Sequence, residues 1–160
     1  MNVKATIDFE MKIEGETDYI SNKDKRNVSL ILGVEAIFKI KINEALYFEE
    51  ELAILEFYKS LYEWKVRIKE NEVLPFHYFS VEYDNYEDGA ILSLIPFSNK
   101  ARVKSIWAKS SVYNVFDLDY IVNEFLALEK KIKEDIESYF KIDLGKFIKH
   151  IPYSVTGRYI

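Results

Sequence analysis

The chain reads as α+β, and three observations predict that class. Residues 3–13 alternate apolar and polar side chains, the pattern of a strand with one buried face. Residues 117–140 repeat apolar side chains at threes and fours, which lays one greasy stripe along a helix. Short turns separate the other strand-like segments, so neighbouring strands pair antiparallel. The expectation is a single α+β domain over residues 1–160, with an antiparallel sheet of about six strands and two long helices packed on one face.

The elements follow in order. Val3, Ala5, Ile7, Phe9, Met11 and Ile13 alternate with Lys4, Thr6, Asp8, Glu10, Lys12 and Glu14. Gly15 ends that run, and residues 16–27 read as a solvated segment anchored by Tyr19 and Ile20. Residues 28–42 read as one long strand, with Val34, Ala36, Phe38, Ile40 and Ile42 on one side and Glu35, Lys39 and Lys41 on the other. Gly33 within it suggests a bulge or a close backbone approach. Asn43 and Glu44 turn the chain into residues 45–49, a hairpin whose turn lacks the favoured Asn-Gly pair.

Residues 50–70 read as the first long helix, with Glu49, Glu50 and Glu51 as acids at its N-terminus. Its main stripe is Ile54, Phe57, Leu61, Trp64 and Ile68; Leu55, Tyr58, Tyr62 and Val66 form a second, leaving Glu56, Lys59, Glu63 and Arg67 exposed. Three strands are then expected, over 76–83, 90–97 and 101–108, with a short piece at 112–116. Asp117 is placed to cap the long helix, and Asp143 a brief one that Pro152 ends. Residues 153–160 read as a docked edge strand or a frayed end.

Composition removes several kinds of chemistry. With 160 residues and 49% hydrophobic content, the chain is large enough for a real core. It has no cysteine, hence no disulfide framework and no thiolate ligand or nucleophile. The N-terminal segment carries acids throughout, unlike a secretory signal, and no apolar run approaches the roughly 20 residues that cross a bilayer. The net charge of −5 argues against non-specific nucleic-acid binding. The expected setting is cytoplasmic, with no membrane partner.

Motifs with chemistry are sparse. His77 sits in an aromatic strand and His150 near a helix end, neither with a ligand-like neighbour at helical or strand spacing. Residues 84–89 resemble the start of a calcium loop, but Tyr86 and Ile95 stand where oxygen ligands are required. Ser80, Ser93 and Ser105 lack flanking glycines of the nucleophile-elbow kind, and the five glycines form no phosphate loop. No catalytic residue, metal ligand or cofactor is expected. The compositional oddity is aromatic content of 16%, with twelve Tyr. Tyr gives large, rigid contact surface, and Tyr47, Tyr78, Tyr83 and Tyr86 lie near Glu49, Asp84, Glu87 and Asp88.

EFYKSLYEW (56–64), FHYFSVEYDNYEDGAILSLIPF (76–97) and FIKHIP (147–152) give the chain its resemblance to a loose group of small uncharacterised proteins of Bacillus-type bacteria. That group is loosely similar to toxin-immunity proteins, so the resemblance implies a protein that binds a toxin. It carries no functional residue across.

The expected function is a non-enzymatic protein-binding module, an immunity protein whose partner is another protein with a basic toxin domain. Asp84, Tyr86, Glu87 and Asp88 are the expected contact, since acids speed encounter and an aromatic ring supplies affinity. Two alternatives stand beside it. One is a small-ligand module, which needs an apolar pocket with a few polar groups. The other is an enzyme whose carboxylates only the fold assembles. The sequence sets no oligomeric state.

Overall fold

Each predicted strand must find a partner for its backbone, and the chain does this in two sheets rather than one. The computed structural model describes residues 4–14, 19–68, 72–82 and 89–153. Among these, β1 (Ile7–Ile13), β2 (Glu35–Ile42) and β3 (Ala45–Ala53) form an antiparallel sheet in that order. β4 (Phe76–Tyr78), β5 (Leu92–Phe97), β6 (Lys100–Lys104) and β7 (Val115–Asp117) form a second antiparallel sheet. The α+β class is as expected; the single sheet of about six strands is replaced by sheets of three and four.

Among the predicted boundaries that move, two do so for clear local reasons. The start of the expected long strand is instead a short helix, α1 (Val28–Leu32). The Asn27 side chain accepts the Leu30 N–H at 3.1 Å, satisfying a donor that the first helical turn leaves free. Gly33 closes that helix with φ −78°, so it marks neither a bulge nor left-handed backbone. β3 runs on to Ala53, which puts Glu49, Glu50 and Glu51 on a strand instead of a helix N-terminus. There Glu49 faces Lys39 at 3.8 Å and Glu50 meets Lys109 at 3.0 Å. The β2–β3 turn has φ 51° at Asn43 and 70° at Glu44, the doubly left-handed form that matches the twist of a two-residue hairpin.

The long helices are α2 (Ile54–Arg67) and α3 (Leu118–Phe140), followed by the single turn α4 (Leu144–Phe147). α3 spans the predicted stripe, and Asp117 stands at its N-cap position. Its carboxylate does not cap, however; it pairs with Lys4 and Lys100. α2 differs from expectation on the face read as exposed: Glu56 is 0% exposed and Lys59 is buried, whereas Val66, expected in a stripe, is 62% exposed.

The core is aromatic and continuous between the sheets. Phe57 of α2 packs against Phe38 of the first sheet at 5.0 Å and against Phe76 and Tyr78 of the second at 6.2 and 5.1 Å. Trp64 adds edge contacts to Phe76 and to Phe125 of α3. A register shift in β2–β3 sets Tyr47 apart, and its hydroxyl donates to the Val103 carbonyl across to β6. At the outer edge, β1 turns alternate N–H groups away from β2, and that of Ile7 donates to the Tyr120 hydroxyl on α3 at 3.0 Å. Among the described residues no helix is long and apolar enough to cross a membrane.

Candidate functional site

Register in the second sheet assembles what the sequence leaves scattered. His77 of β4 stands opposite Ser93 of β5, and Ser93 stands opposite Lys104 of β6. Residues directly opposite in antiparallel strands share a face, so the three form one row across the sheet. The row lines a cavity of about 350 Å³, to which Phe79, Ile95, Ile106 and Trp107 add apolar surface. Ser93 is only 4% exposed, and its Oγ lies 2.7 Å from Nδ1 of His77.

Proton counting shows what that pair offers. Partial burial of the imidazole holds His77 below the ordinary histidine range, so the ring is neutral at physiological pH. A neutral ring carries one N–H and the serine one O–H. Their mutual hydrogen bond uses one of the two and leaves the other as a spare donor. The Lys104 ammonium adds three donors and a charge, and the Ser105 hydroxyl, which accepts the Trp107 N–H at 3.0 Å, keeps its own proton to give. Among the described residues no carboxylate lines this cavity. The described residues place no acid on His77 to orient it, as a nucleophilic triad requires. Chemically the site is a set of donors beside apolar side chains.

A buried carboxylate holds the chain that follows β4. Glu56 in the first turn of α2 accepts the Tyr78 hydroxyl at 2.8 Å and the Val81 N–H at 2.9 Å, and it also hydrogen-bonds Ser80. Burial raises its pKa above the ordinary carboxyl range, the effect of those three hydrogen bonds in the opposite direction being smaller. Ser80 in turn accepts the Glu82 N–H at 3.1 Å. Beyond Glu82 the described chain resumes at Gly89, whose φ of 120° only glycine adopts without strain. The Ile91 N–H then donates to the Tyr78 carbonyl.

The expected contact residues Asp84, Tyr86, Glu87 and Asp88 lie outside the described residues, as does Tyr83. Of the other tyrosines proposed for a wet sheet face, Tyr47 and Tyr78 are both buried, with hydroxyls spent on Val103 and Glu56. His150 ends a 3₁₀ turn away from the row, its buried Nε2 without a hydrogen-bond partner. Among the described residues no three His, Asp or Glu side chains are placed to hold a metal ion.

A second, larger concavity of about 670 Å³ lies between α2 and α3. Three of its polar groups answer one another: Glu129, 3% exposed, meets Lys65 at 2.8 Å and hydrogen-bonds Tyr58, whose hydroxyl burial and the adjacent carboxylate keep protonated. The row His77–Ser93–Lys104 is the better candidate, because register joins its polar groups side by side across three strands.

A family model described as a domain of unknown function, DUF7878, matches residues 9–138, most of the chain. No curated protein and no solved structure matches it.

Proposed function

The chain belongs to the DUF7878 family, and we propose that it is a non-enzymatic protein-binding module, with Asp84, Tyr86, Glu87 and Asp88 as the contact and a basic toxin domain as partner. The Glu56 clamp is the observation that carries this reading. It holds Tyr78 and Val81 immediately before the segment, and the bond from Ile91 to Tyr78 ties the chain immediately after it. Recognition segments work best on a rigid base, because less conformational entropy is lost when they bind. Three acids within five residues favour encounter with a basic surface, and Tyr86 supplies a large amphipathic ring. An immunity protein of this kind acts inside the cell it protects, which is why the cytoplasm is the proposed setting.

The test is calorimetric titration of the chain with the purified toxin domain encoded beside it. Binding is expected, and the combined Tyr86→Ala, Glu87→Lys, Asp88→Lys variant should weaken it at least about 100-fold at an unchanged melting temperature. An affinity untouched by those three substitutions, or no binding to that domain, overturns the proposal.

A further inference from the structure

We propose that the cavity over His77, Ser93 and Lys104 is a binding site for a small monocarboxylic acid with a planar apolar body. This goes beyond the protein-binding reading and does not depend on it.

The cavity joins a polar row to apolar neighbours. Apolar side chains flank the row in both strand directions, Phe79 and Ile106 on one side and Ile95 on the other, and Trp107 also lines the space. Its volume of about 350 Å³ lies at the small end of the range for ligand pockets. The polar row offers donors that no described acceptor takes up: the Lys104 ammonium, the Ser105 hydroxyl, and the spare proton of the His77–Ser93 pair. An ammonium with hydroxyl donors beside it favours an anionic acceptor, which an ionised carboxylate is.

Charge sets the number of carboxylates. Neighbouring lysines are already answered, Lys100 by Asp117 and Lys109 by Glu50. Lys104 forms no ion pair among the described residues, so one unit of positive charge faces the cavity. That matches one carboxylate. A phosphate dianion is better held by an arginine fork or by the free N–H groups of a helix N-terminus, and among the described residues neither lines this space. The aromatic and aliphatic lining then favours a ligand whose remainder is apolar and flat.

The experiment uses the full chain alone, without any protein partner. Benzoate and phenylacetate are titrated by calorimetry and by Trp107 fluorescence, alongside benzamide, phenylacetamide and inorganic phosphate. At least one acid should bind with a Kd of about 0.1–1 mM, as expected for a ligand of that size. The matching amide should bind at least tenfold more weakly. Lys104→Gln should weaken the acid at least tenfold, whereas Lys130→Gln, in the concavity between α2 and α3, should leave it unchanged. Saturable binding of neither acid below 10 mM, equal binding of acid and amide, or tighter binding of phosphate would each overturn the proposal. The acid–amide comparison needs no variant, so it decides the matter even where Lys104→Gln alters folding.

Discussion

The Glu56 carboxylate accepts the Tyr78 hydroxyl at 2.8 Å from a position with no solvent exposure. A helix residue thereby fixes the strand that leads to the proposed contact segment. A carboxyl whose folded pKa lies above its unfolded value holds its proton more tightly in the folded protein. Its contribution to stability is full below the ordinary value of 4.5 and is lost as pH rises through the folded value. Urea midpoints measured from pH 4.5 to neutrality should therefore fall faster for the parent than for Glu56→Gln. A difference between the two that does not change with pH would contradict the raised pKa. Glu56→Ala, which strands the Tyr78 hydroxyl and the Val81 N–H, should cost about 2–4 kcal/mol at any pH.

Trp64 is 4% exposed, and its Nε1–H donates to the Leu74 carbonyl at 2.8 Å. Trp64→Ala removes edge contacts to Phe76 and Phe125 together with that hydrogen bond. The expected loss is about 3–5 kcal/mol by urea denaturation. Trp64→Phe should recover part of it, because ring area returns while the bond to Leu74 does not. A Trp64→Ala chain as stable as the parent would place this ring outside the core.

Much of the architecture was legible in the sequence, and its misreadings share a cause. The stripe on α3 and the alternation in β1 are single-element patterns, and both hold in the structure. Glu56 broke the rule that a charged residue beside a stripe points to water, since partners 22 and 25 residues away satisfy it. The row of His77, Ser93 and Lys104 was invisible for a related reason. Each is an ordinary strand residue, and only cross-strand register places them side by side. Asn27 was the one overlooked local signal: an Asn before an apolar run can cap a helix as well as precede a strand.

Glu44 occupies the second left-handed position of the β2–β3 turn, with φ 70°. Glycine takes that conformation without a Cβ penalty, and Asn-Gly is the favoured pair for this turn. Glu44→Gly should stabilise the chain by about 0.5–1 kcal/mol, read from the midpoint of thermal unfolding. A lower midpoint would mean that the Glu44 side chain contributes more than its backbone strain costs.

The bond from Ile7 to Tyr120 also bears on how the chain behaves in company. An open strand edge is a template on which another molecule's strand can add, and β1 is the outermost strand of its sheet. By taking the Ile7 N–H, the Tyr120 hydroxyl occupies one rung where an incoming strand would bond. The charges of Asp8, Glu10 and Lys12 discourage the rest of the approach. Tyr120→Phe removes the plug and keeps the ring. Its melting temperature should stay within a few degrees of the parent's, while light scattering of concentrated solutions shows self-association through β1.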